Sequence, residues 1–230
     1  MNLRKLVFLS LRHRLRPNLG ILLGAAVGTA ALVGALVVGD SMRESLRSMA
    51  IARLGRVDEA MDAGDRFFRS QLAQEISEDA RNNSITTDNS ASAAAVLHLA
   101  GVASAGNQSL RANHVQVLGV DPSFWKLALM PPPFREIADD SVVLNAALAF
   151  RLHVDIGDTL VLRVQKPGVL SRDAVVSPQN DFSVALRLRV SSIVNDWQFG
   201  KFSLQPGQTA PFNAYVNLAH LGEATGCTNR

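Results

Sequence analysis

The stretch 141-SVVLNAALAFRLHVDIGDTLVLRV-164 decides how most of this chain folds. Val142, Val143 and Leu144 form a continuous apolar run of the kind a buried strand shows. Asn145 follows at once, a residue type favoured at a helix N-cap because its side-chain oxygen accepts a free backbone N–H. Ala146–Leu152 fills a short helix, Gly157-Asp158 supplies a turn, and Thr159–Val164 alternates as a half-buried strand does. The segment therefore reads as strand, helix, turn, strand.

The same grammar extends in both directions. Towards the C-terminus, LRLRVSSIVND (186–196) is a further strand and NAYVNLAHLGEA (213–224) a strand–helix unit. Towards the N-terminus, AAVLHLAGVASA (94–105) and HVQVLGVD (114–121) are strands separated by Gly106-Asn107. DPSFWKLA (121–128) opens as a helix on Asp-Pro, and PPPF (131–134) breaks it. RVDEAMDAG (56–64) reads as a first strand, RFFRSQLAQEISEDA (66–80) as a helix with Phe67, Leu72, Ile76 and Ala80 on one side, and residues 81–92 as a polar loop. Strands alternating with short helices give an α+β or mixed α/β domain.

Ahead of this domain stands LGILLGAAVGTAALVGALVVG (Leu19–Gly39), with no charged residue. As a helix it is about 31 Å long, which matches the bilayer hydrocarbon core. It is longer than the apolar region of a cleavable export signal and lacks a convincing Ala-x-Ala exit, so it reads as an uncleaved membrane anchor. Gly20, Gly24 and Gly28 recur at i, i+4, i+8 on one face, as in the small-residue stripes that let helices approach closely in lipid. Before the run, Leu3, Leu6, Val7, Leu11 and Leu15 alternate with Arg4, Lys5, Arg12 and Arg16, the pattern of a basic amphipathic helix at a membrane interface. After it, Met42, Leu46, Met49 and Ala50 continue in helical spacing as a stalk, with Gly55 as the stop.

Charge distribution agrees. Residues 1–39 carry five basic residues and no acid, whereas residues 40–230 carry 18 basic against 20 acidic residues. The basic character is thus confined to a short tail beside an apolar run, which points to a membrane surface and away from nucleic acid. Three of the five charges lie close before Leu19, placing the N-terminus inside and the main domain outside the cytoplasm. The expected organisation is a cytoplasmic amphipathic helix (1–18), a transmembrane helix (19–39), a stalk helix (40–55) and the folded domain (56–230).

The residues give little sign of covalent chemistry. The single cysteine, Cys227, rules out an intramolecular disulfide and a cysteine-built zinc site. His13, His98, His114, His153 and His220 fit no metal-ligand spacing, and no nucleophile elbow, phosphate loop or dinucleotide fingerprint occurs. Asp139-Asp140 reads as a solvated turn, since adjacent residues at a strand start point to opposite faces. Trp197, Phe199 and Phe202, with Pro206 and Pro211, read equally well as a recognition surface and as a loop packed on the sheet. No catalytic residue, cofactor-binding residue or metal ligand is expected.

Taken in order, several phrases resemble MacB/FtsX-type ABC-transporter permeases in their MacB-like periplasmic core domain. VQVLGVDPSFWKL (115–127), the segment 141–164 and the closing stretch 188–226 are similar to that domain's phrases, and RLGRVDEAMDAGDRFF (53–68) is similar to its start. The resemblance implies a non-enzymatic permease subunit of the inner membrane. Its partners would be a separate ATP-binding subunit, further permease helices and the lipid bilayer, with a homodimer as an added expectation. Such a subunit couples ATP hydrolysis to export or mechanotransmission; the cargo, whether lipoprotein, lipid, peptide or drug, is left open. Family members carry at least three further transmembrane helices, whereas the sequence ends at Arg230 with no second hydrophobic run. A fragment, a truncated reading frame or one piece of a split permease is therefore expected. The alternative readings are a single-pass sensor or scaffold dimerising through Gly20, Gly24 and Gly28, and, more remotely, an anchored envelope hydrolase.

Overall fold

A computed structural model describes residues 13–62, 64, 67–83, 92–105, 110–167, 183–205 and 209–227. The chain divides into two compact units, residues 1–49 and 50–230. Most of the expected interfacial helix over 1–18, residues 84–91 of the polar loop, Gly106-Asn107 and Pro206 lie outside the described residues.

Helix α1 runs from Leu15 to Leu54. Pro17 lies in its first turn, where a missing N–H costs nothing. The helix ends where Gly55 takes a left-handed φ of 61°, the usual glycine stop. A side chain at position 55 would also collide: a Cβ there would lie 2.7 Å from the Phe199 ring and 2.8 Å from the Leu127 carbonyl oxygen. Arg56 donates its N–H to that same carbonyl at 2.9 Å.

The expected strand over 56–64 is absent: residues 57–62 form neither helix nor strand. Of its alternating residues only Val57 packs on the core, while Met61 is exposed, and the sheet beyond it is closed and offers no edge to pair with. Helix α2 spans Gln71–Asn83, starting five residues later than the pattern predicts and running three further. Ser70 stands immediately before it, a favoured position for serine, and Phe67 and Phe68 remain ahead of the helix.

Among the described residues six strands follow: β1 (Val96–Ala105), β2 (Leu110–Val120), β3 (Ser141–Asn145), β4 (Thr159–Gln165), β5 (Ser183–Val194) and β6 (Phe212–Asn217). Helices α3 (Ala146–Leu152) and α4 (Leu218–Thr225) follow β3 and β6 directly. The strands close into a barrel in the order β1-β2-β6-β3-β5-β4, with β4 returning to β1. The β2–β6 and β3–β5 pairs are parallel and the other four antiparallel. The α+β class expected from the pattern holds; the closure into a barrel is a feature that local pattern does not carry.

The reading of 141–164 is borne out element by element. Asn145 caps α3, its side chain accepting the Leu148 N–H. All six strands contribute to the main core, including Ala103, Val117, Val142, Leu162, Leu188 and Val216, while Leu148 and Leu152 of α3 and Leu221 of α4 pack into it. A barrel of so few strands is filled by its own side chains. The segment DPSFWKLA forms a single 3₁₀ turn, Phe124–Leu127, in place of the expected longer helix. Asp121 accepts the N–H groups of Ser123 and Phe124 at its start. Pro131 lies soon after and disfavours the helical conformation in the residue before it.

Candidate functional site

The apolar part of α1 is the first candidate. It belongs to a helix, Arg16–Leu54, long and apolar enough to cross a membrane. A Cβ at Gly20, Gly24 or Gly28 would meet nothing within 4 Å, and Leu19, Ile21, Leu22 and Leu23 around them are exposed. Thr29, one residue past the stripe, donates its hydroxyl to the Ala25 carbonyl within the helix, which leaves the stripe itself purely apolar. Each glycine inside a helix costs roughly 1 kcal/mol relative to alanine, and nothing in the described residues offsets that here.

The second candidate is the segment 195–202 with the loop around Met130. A second core cluster lies outside the barrel wall, where Phe124, Trp125, Phe199, Phe202 and Tyr215 pack together. Phe124 meets Phe199 at 4.7 Å and Phe202 at 5.2 Å between ring centres. Beneath the segment runs a buried polar seam. Asn145 donates to the carbonyls of Gly200 and Pro211 at 2.6 and 2.7 Å, and its oxygen accepts the Asn213 N–H. Asn213 in turn donates to the Phe202 carbonyl and to the Tyr215 hydroxyl, and that hydroxyl donates to the Phe199 carbonyl. Burial raises the Tyr215 pKa, the Asn213 hydrogen bond opposing it only in part.

These contacts divide the aromatic cluster that the sequence left undecided. Phe199 and Phe202 are core, at 2% and 5% exposed, whereas Trp197 is 60% exposed. The Trp197 carbonyl accepts the Met130 N–H at 3.0 Å, and Gln198 reaches the Pro131 carbonyl. Two loops are thereby tied together, with Trp197 and Met130 both open to solvent.

Among the described residues no three His, Cys, Asp or Glu side chains are grouped to hold a metal ion. Asp139 and Asp140 occupy an exposed turn, and the Asp140 carbonyl accepts the Arg189 N–H. A shallow cavity of about 300 Å³ is lined by Val120, Asp121, Trp125, Glu136, Ile137 and Leu218 among others. One Asp121 oxygen is already engaged by the backbone of the 3₁₀ turn.

Comparison with known proteins follows the same lines. Residues 19–225 match the family described as the MacB-like periplasmic core domain. The search of curated proteins returns no match. Among solved structures, the periplasmic region of MacB from Actinobacillus actinomycetemcomitans is similar at 12% sequence identity with a TM-score of 0.35, so the assignment rests on the sequence match. That alignment covers 66% of this chain and 59% of that structure, so the chain spans less than two thirds of its length. Since the match takes in both the apolar helix and the barrel, the chain belongs to the MacB-like periplasmic core domain family, a family of ABC-transporter-type permease components rather than of classical enzymes.

Proposed function

We propose that the chain is the permease subunit, or the N-terminal part of one, of a MacB/FtsX-type ABC transporter, anchored in the inner membrane by α1 with its N-terminus in the cytoplasm. ATP hydrolysis by a separate subunit drives movement of the membrane helices. Residues 40–55 transmit that movement as a stalk to the folded domain (56–230) outside the cytoplasm. Gly20, Gly24 and Gly28 are the face on which α1 receives neighbouring spans. The observation that carries this reading is the single family match running from the apolar helix through the barrel to Thr225. The bare glycine face supports it, because a helix stripe without side chains lets another backbone approach closely in lipid.

The test is cross-linking in native membranes followed by purification of the tagged chain. Recovery of a nucleotide-binding ATPase together with multispanning membrane segments is expected, and Gly24→Leu should reduce that recovery. Recovery of further copies of this chain alone, again reduced by Gly24→Leu, would favour the single-pass dimer.

A further inference from the structure

Along β2, β1, β4 and β5 the outward strand positions carry cations and no acids, and the Asp62 carboxylate acts on His98 at the end of β1 far from the arginines. On β5, Leu186, Leu188 and Val190 point into the core while Arg187 and Arg189 are exposed. On β4, Leu162 and Val164 are buried and Arg163 is exposed; on β2, Arg111 is exposed beside buried Ala112. Register fixes where these arginines stand. Ser104 of β1 lies opposite both Arg111 and Val161, and Val161 lies opposite Arg187. Arg111 and Arg187 therefore share one row, three strand spacings or about 14 Å apart. Arg163 pairs with Ala185, which sets it diagonal to Arg187 at about 7–8 Å.

The outward positions between them are small: Ala100, Val102, Ser104, Val161 and Ala185. No Asp or Glu occupies any position of these four strands. Among the described residues, Asp140 and Asp158 sit at the rim beyond Arg189, whose Nε donates to the Gly157 carbonyl at 3.0 Å. Among the described residues none of the four arginines forms an ion pair. Residues 40–230 are net acidic, so this is a local concentration of charge and not a generally basic surface. Like charges on neighbouring strands repel, and nothing in the described fold compensates them.

We propose that this face docks an acidic segment of a protein partner, with Arg163 and Arg187 at its centre and Arg111 at its flank. Guanidinium groups held on barrel strands present planar forks at set spacing, which suits carboxylates taken two hydrogen bonds at a time. A bilayer is the poorer fit, because among the described residues the outward positions between the arginines, such as Val102, Ser104, Val161 and Ala185, offer no aromatic or long apolar side chain to enter a membrane interface. The sheet is closed, so the partner meets side chains and cannot add a strand.

The experiment uses the full chain in nanodiscs of zwitterionic lipid and a fluorescently labelled oligoglutamate peptide, read by anisotropy at low and high salt. Saturable binding that weakens as salt rises is expected, together with a loss of about tenfold or more in the Arg163→Glu/Arg187→Glu variant. Arg163→Gln/Arg187→Gln should fall between the two, and circular dichroism should show all three forms equally folded. Oligolysine should not bind. The proposal is overturned if the peptide does not bind, or binds all three forms equally, as attraction to the basic N-terminal tail alone would produce. It is likewise overturned if anionic phosphatidylglycerol vesicles bind through these two arginines and the peptide does not.

Discussion

Tyr215 is the only tyrosine in the chain, and it is fully buried with its hydroxyl in the seam between Asn213 and the Phe199 carbonyl. Burial holds its pKa above the ordinary value of about 10. In the unfolded chain the phenol ionises near pH 10, whereas in the folded chain it stays protonated. Its contribution is therefore fully present below about pH 10 and is lost as pH rises above that value. A tyrosinate absorbance band should appear only together with unfolding, and Tyr215→Phe should flatten the alkaline fall in stability. A folded chain that titrates normally near pH 10 would contradict the buried seam. At this scale the sequence was partly legible. Asn145 was readable as a cap because capping is a local rule. Its two further bonds, to Gly200 and Pro211, join residues 55 and 66 positions away, and no local rule reaches that far.

Among the elements, the most exacting junction is the end of α1. Gly55 combines a left-handed backbone with contacts that leave no room for a Cβ. Gly55→Val should cost roughly 2–4 kcal/mol, from the left-handed penalty and the overpacking against Phe199 together. Chemical denaturation in mild detergent, followed through tryptophan fluorescence, should show the lowered midpoint, and an unchanged midpoint would overturn this account of the junction. Element type was readable wherever apolar spacing was regular, as in β1, β2, β4 and the β6–α4 unit. It failed at 56–62, where a weak alternation is left without a partner edge. It also failed at 121–128, where Asp121 and the following proline run limit the helix to one 3₁₀ turn. The aromatic cluster was undecidable from sequence because Trp197 and Phe199 are two residues apart yet lie on opposite sides of a tight turn, one in solvent and one in the core.

For the whole molecule, closure into a barrel follows from pairings between distant strands, such as β1 with β4, which only the folded chain reveals. The candidate membrane helix, by contrast, was legible from length and charge alone. The central claim, an anchored chain with its barrel outside the cytoplasm, has a native reporter in Cys227, the only cysteine, which is partly accessible just after α4. Intact spheroplasts treated with a membrane-impermeant maleimide give the most direct reading. The account predicts that Cys227 is labelled without lysis and that Cys227→Ser abolishes the signal. Labelling that appears only after the membrane is broken would place the barrel in the cytoplasm and contradict it.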